Sequence, residues 1–121
     1  MNNPNTNQNN KRALGGRQED LACRFLEQQG IVILERNYRV KIGEIDIIAN
    51  EGDEICFIEV KYRATKKYGG ASYAISRQKQ EKIRRVAQWY ISSHHLGNNV
   101  YFRFDAVLID GEEIQYIRNA W

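Results

Sequence analysis

Proline is nearly absent from this chain. Its one copy among 121 residues, Pro4, lies in the Asn-rich opening MNNPNTNQNN. That opening has too little apolar content to join a core, so residues 1–12 read as a disordered polar tail before a single domain, 13–121. It also lacks the apolar stretch of a signal peptide, and no apolar run elsewhere approaches the ~20 residues of a membrane span. A cytoplasmic protein with no membrane partner is therefore expected. Cysteine occurs twice, at Cys23 and Cys56, in no metal-ligand spacing; both read as small buried thiols kept reduced. The two histidines are adjacent, His94 and His95, near a helix C-terminus where positive charge suits the helix dipole. Neighbours on a helix diverge, which argues against a joint metal site.

What is present is ordinary in amount and uneven in placement. Hydrophobic residues make up 42% and charged residues 27%, as in a soluble globular domain with one modest core. The net charge is only +3, but basic residues gather at Lys11, Arg12 and Arg17, at Arg36, Arg39 and Lys41, along Lys61 to Lys67, and from Arg77 to Arg85. Converging clusters would attract phosphates. Solvated faces with interspersed acids are the alternative.

The apolar spacing Leu21, Ala22, Phe25, Leu26 predicts a helix from about Arg17 to Gln29, stopped by Gly30. Ile31 to Leu34, then Tyr38, Val40 and Ile42, predict one bent strand or two short ones. ATKKYGGASY, residues 64–73, has no period and reads as a mobile loop. Ser76 can cap a second helix with a stripe at Ile83, Val86, Ala87, Tyr90 and Ile91, ending near Gly97. Two strands follow, Val100 to Ile109 and Ile114 to Arg118. With the hairpin below, the order is α-β-β-β-α-β-β, a single layered α/β domain without repeats.

The stretch GEIDIIANEGDEICFIEVKYR, Gly43 to Arg63, places acids inside apolar strands. A two-residue turn at Gly52-Asp53 fixes the register. On one face it opposes Asn50 and Ile55, Ile48 and Phe57, Asp46 and Glu59, and Glu44 and Lys61. On the other it opposes Ala49 and Cys56, Ile47 and Ile58, and Ile45 and Val60. Opposed carboxylates repel, and a hard cation such as Mg²⁺ or Mn²⁺ relieves that repulsion. Lys61, on the same face as Glu59, can hold a phosphate oxygen or a water. Asp…Glu-x-Lys on paired strands is thus a set suited to cutting phosphodiesters. A salt-bridged sheet edge, with Lys61 neutralising Glu44 or Glu59, is the other reading that spacing leaves open. Glu19 and Lys79 each break the inner stripe of a helix at its N-terminal end, as snorkelling charges or as groups turned toward a site. Asp105 shares a strand face with Arg103, and a structural ion pair is expected.

These linked blocks, GEIDIIA, FIEVKYR, RFDAV, and helices bearing Glu19 and Lys79, resemble the PD-(D/E)XK nuclease superfamily. Within it the chain is most similar to the YraN-like uncharacterised bacterial family, and the arrangement is shared with Holliday-junction resolvases. The likeness runs from about Gly16 to the C-terminus. It implies a restriction-endonuclease-like α/β fold, a mixed central β-sheet flanked by helices. It implies Mg²⁺ (or Mn²⁺) held by Asp46 and Glu59, with Glu19 as the helix acid and Lys61 as the catalytic lysine. Ile45 replaces the proline of the superfamily pattern. The expected function is a Mg²⁺-dependent DNA endonuclease of structure-selective type, with Lys79, Arg77, Lys66 and Lys67 on the phosphate backbone. A homodimer would suit symmetric cutting of two strands. A non-catalytic nucleic-acid-binding protein of the same fold is the alternative, and an interaction module with a structural acid cluster is a third.

Overall fold

Periodicity places the elements, and the sheet then sorts their faces. The computed structural model describes residues 6–63 and 75–121, with side chains from residue 16 onward within those ranges. In chain order the elements are α1 (Thr6–Gln28), β1 (Val32–Val40), β2 (Gly43–Glu51), β3 (Glu54–Arg63), α2 (Arg77–Ser93), β4 (Tyr101–Asp110) and β5 (Glu113–Ile117). The expected order α-β-β-β-α-β-β is observed. Five strands form one mixed sheet in the order β1-β2-β3-β4-β5. Among the described strands only β3 and β4 run parallel, and α2 lies in the crossover that a parallel pair requires.

Helix α1 begins earlier than its apolar stripe. Helix covers part of the 1–12 segment that was expected to be disordered, because Gln8, Lys11, Arg12, Ala13 and Leu14 are all good helix formers and Pro4 lies upstream of them. The bent first strand is a single strand, its bend marked by a register shift between Ile33 and Glu35.

Each helix covers one face of the sheet. Ala22, Cys23 and Leu26 of α1 pack with Ile47, Ala49, Cys56, Ile58, Val107 and Ile109. On the other face Ile83, Val86, Ala87 and Tyr90 of α2 pack with Ile45, Ile48, Ile55, Phe57 and Phe104. Strand β3 is therefore covered from both sides, which is why its run from Ile55 to Glu59 is buried without alternation. Both cysteines are free and buried.

The hairpin turn has the predicted register. Glu51 pairs with Glu54 across Gly52-Asp53, followed by Asn50 with Ile55, Ala49 with Cys56, Ile48 with Phe57 and Ile47 with Ile58. Gly52 has φ +59°, a left-handed value that a Cβ penalises. Gly52→Ala should therefore lower stability by about 1–2 kcal/mol, and Gly52→Asn by less, since Asn tolerates that region. Urea unfolding of the two variants checks this order.

Candidate active site

Beyond Ile47 and Ile58 the β2–β3 ladder stops, although each strand continues. Strand β2 stays paired with β1 as far as Val40 and Gly43. Strand β3 stays paired with β4 as far as Arg63 and Asp110. The sheet therefore forks, with β1–β2 as one leaf and β3–β4–β5 as the other. Two antiparallel strands that part leave backbone amides without partners. At the crotch one such amide is taken by a side chain: Val60 N–H donates to Asp46 Oδ2 at 2.8 Å.

A face change in β2 accompanies the fork. Ile47 is buried under α1, whereas Ile45, two residues earlier, is buried under α2. Residues two apart in a regular strand share a face. Strand β1 turns over with it, since Arg36, paired with Ile47, reaches the α1 acids, while Tyr38, paired with Ile45, packs under α2. Between them Asn37 has φ +53°. This corrects the expected pairing of Ile45 with Val60 on one apolar face: they lie on opposite faces, Ile45 under α2 and Val60 toward α1. Alternation fails there because a carboxylate replaces a strand carbonyl as acceptor.

The acids nevertheless meet. Glu59 is 6% exposed, and its carboxyl lies close enough to that of Asp46 for the Asp46 charge to act on it. Burial, then the Asp46 charge, push Glu59 up to about 7. Burial also raises Asp46, partly offset by the Val60 amide; Glu19 contributes the largest charge effect on it, in the raising direction. Among the described residues the one cation within ion-pair range is Lys79, whose Nζ lies 3.9 Å from Glu59 Oε2. Lys61 lies one strand step beyond Glu59 on the same face and lowers Glu59 from longer range. It makes no ion pair among the described residues, so it does not bridge Glu44.

Other predicted residues fall at graded distances from the fork. Glu44 pairs with Arg39, its cross-strand neighbour on β1, at 3.0 Å. Glu19 lies close to Asp46 but is already engaged, accepting from Asn37 Nδ2 at 2.9 Å with Arg36 at 3.6 Å. Arg77 opens α2, exposed, next to the Ser76 cap that accepts from Lys79 N–H at 3.1 Å. Lys66 and Lys67 lie outside the described residues. Asp105 is fully buried and forms the expected pair with Arg103 at 3.0 Å, joined by the Tyr116 hydroxyl and the Asn119 amide. Sequence reasoning missed Asn37, which anchors Glu19. Its signal was an Asn inside a strand pattern, a residue that accepts positive φ.

Among the described residues no three His, Cys, Asp or Glu side chains converge as a ready metal site. The fork offers two hard, desolvated, mutually repelling carboxylates, a donor set that suits a divalent cation such as Mg²⁺ or Mn²⁺. Glu19 meets Arg36 and Asn37 through the same oxygen, Oε2.

The model of the uncharacterised protein family UPF0102 matches residues 18–109, which span both helices' inner stripes and the fork. The chain belongs to that family. It is 44% identical over 110 residues to a UPF0102 protein of Nitrosomonas europaea, covering 88% of this chain and 92% of that one. Its identity to the Shewanella loihica member is 45% over 107 residues, with the same coverage. The Acetivibrio thermocellus member is 43% identical over an alignment of 131 positions that covers both chains fully. Among the described residues no helix is long and apolar enough to cross a membrane.

Glu59 ionises at 4.5 when unperturbed and at about 7 in the fold, so the folded state binds its proton more tightly between those values. Stability from this group is complete below pH 4.5 and is lost as pH rises through 7. Glu51, held down to about 2 mainly by its hydrogen bond from Arg118, acts below that window. Metal-free protein should thus lose about 2 kcal/mol between pH 5 and pH 8. Glu59→Gln should flatten the decline in thermal melts run in chelator.

Proposed function

We propose that this UPF0102 member is a divalent-metal-dependent endonuclease that hydrolyses phosphodiester bonds of DNA and selects its substrates by structure. The observation that supports this most is the buried Asp46–Glu59 pair at the sheet fork, with Lys61 beside it making no ion pair among the described residues and Lys79 across from it. A fold gains nothing in stability from burying two neighbouring carboxylates with so little compensating charge among the described residues. Perturbed, under-neutralised acids of this kind are typical of functional sites. The resemblance of the same residues to the PD-(D/E)XK superfamily points the same way.

Asp46 and Glu59 would hold Mg²⁺ or Mn²⁺, which when bound supplies Lewis-acid polarisation of the phosphoryl group and lowers the pKa of the attacking water. The chain's own residues do the rest. Lys61 donates to a phosphate oxygen or orients the water, and gains in importance as negative charge builds on the phosphorus centre. Lys79, held by the Ser76 cap and its contact to Glu59, faces the backbone of the nucleic acid. Arg77 extends that cationic edge. The phosphate contacts carry no base information, so affinity is independent of sequence and falls with salt. Two copies would be needed to cut both strands of a branched substrate symmetrically. Such a protein belongs in the cytoplasm with the chromosome. A non-catalytic binding protein is the second reading, favoured by the engagement of Glu19 with Arg36 and Asn37; turnover separates the two.

The deciding experiment titrates Mg²⁺ and Mn²⁺ against linear, nicked, flapped and four-way DNA. Asp46→Asn and Glu59→Gln should each reduce cleavage by at least about 100-fold, and Glu19→Gln by clearly less. Lys61→Ala should spare affinity and remove cleavage, because its task belongs to the transition state. Lys79→Ala should weaken binding to all sequences alike and make the log–log salt slope shallower by about 0.9. Wild-type protein that binds every substrate and cuts none, with either metal, would leave the binding-protein reading in its place.

A further inference from the structure

The far end of α2 carries a second feature. Between the C-terminal half of α2 and the start of β4 lies an open groove of about 670 Å³. That volume is within the range of small-ligand sites. Phe102 of β4 lines it and remains 43% exposed. Its ring is fixed by edge-to-face contacts with Phe57 and Phe104, at centroid distances of 6.0 and 5.8 Å. An exposed aromatic ring held rigidly by buried ones is costly to leave in water and makes an ordered stacking surface. Around it stand Gln88, Ser92 and Asn98, whose amides and hydroxyl can both donate and accept. Among the described residues no carboxylate lines the groove.

Charge gives the groove a direction. One turn of α2 before Gln88, Arg84 lies with its guanidinium 4.7 Å from the Phe104 ring centroid. At the other end α2 terminates at Ser93, with His95 beyond, so the negative end of the helix dipole falls there. An anion is favoured at the Arg84 end, and hydrogen-bond donors at the other. A flat, edge-polar group with an attached phosphate fits that polarity.

We propose that this groove binds an unpaired nucleotide of a single-stranded nucleic-acid segment, its base on Phe102 and its phosphate toward Arg84. This rests on the nucleic-acid reading of the fork and adds the form of substrate it prefers. Gln88 and Lys79 are nine residues apart on one helix, or about 14 Å along the axis. The groove therefore takes a base a short way along the strand from the phosphate that Lys79 faces. Duplex lacks an unpaired base to offer, whereas flaps, frayed ends and branch points supply one.

The test is a titration of full-length protein in chelator, where nothing is cleaved, against a labelled single strand of about 20 nucleotides and its blunt duplex. Phe102→Leu keeps an apolar floor and removes the ring; it should weaken single-strand binding about tenfold and leave duplex binding within twofold. Gln88→Ala combined with Asn98→Ala should move affinity in the same direction without touching the core. This pair decides the matter if Phe102→Leu lowers the melting temperature. Equal losses on both probes, or none on either, overturn the proposal. So does sedimentation showing a dimer that Gln88→Ala with Asn98→Ala dissociates, since the groove is then a protein interface. Binding is read without turnover, so the outcomes stay separate. A protein that cuts DNA with no dependence on the groove sinks only this inference, and one that binds through the groove but never cuts sinks only the endonuclease reading.

Discussion

The hydrogen bond from Val60 N–H to Asp46 carries the geometry of the site. A sheet that splits must satisfy the amides it exposes, and a buried one left alone would cost about 1–3 kcal/mol. At this fork a carboxylate takes the role of a strand carbonyl at 2.8 Å. That choice brings an acid to the crotch of the sheet and orients it toward β3. Glu59, the residue just before Val60, is then obliged to meet it. The closeness of the two carboxyls follows from the way the sheet ends its pairing.

The molecule contains its own control for what a purely structural buried acid looks like. Asp105 is fully buried, yet Arg103, Tyr116 and the Asn119 amide surround it with donors. Arg103 in turn bridges to Glu51 and Glu54 at the hairpin turn, and Arg118 completes the pairing of Glu51. That end of the sheet is closed and satisfied. At the fork, among the described residues, the amide of Val60 serves Asp46 and Lys79 pairs with Glu59, with Lys61 acting from farther off. The difference between the ends of the same strands marks which acids serve the fold.

Much of this was legible in the sequence. The Gly52-Asp53 turn and period-two alternation gave the register from Glu51–Glu54 to Ile47–Ile58, because turn chemistry and burial both specify it. The stripes that place Glu19 and Lys79 were legible for the same reason. Reading failed where one side chain overrules the backbone period: Ile45 changes face at Asp46, and alternation carries no sign of it. It also failed for partners brought together by folding alone. Asn37 with Glu19, and Glu51 with Arg103, are far apart in the chain, and only tertiary structure selects them. Glu44 went to Arg39 and not Lys61 because β2 remains paired with β1 after it has left β3.

Helix α2 ties these parts together. Its start is set by the Ser76 cap, and its rotation by Ile83, Val86, Ala87 and Tyr90 against the sheet. The approach is close: a Cβ on Gly43 would lie 3.3 Å from Val86. Cap and stripe together fix Lys79 against Glu59. The same rotation sets Arg84 over the Phe104 ring and turns Gln88 and Ser92 to the groove that Phe102 lines, as side chains four apart on one helix face must turn together. A change that moves α2 on the sheet therefore moves the phosphate end and the groove as one body. The distance between them is set by the rise of a single helix, so a strand bound at both points would be measured against a ruler with no joint in it.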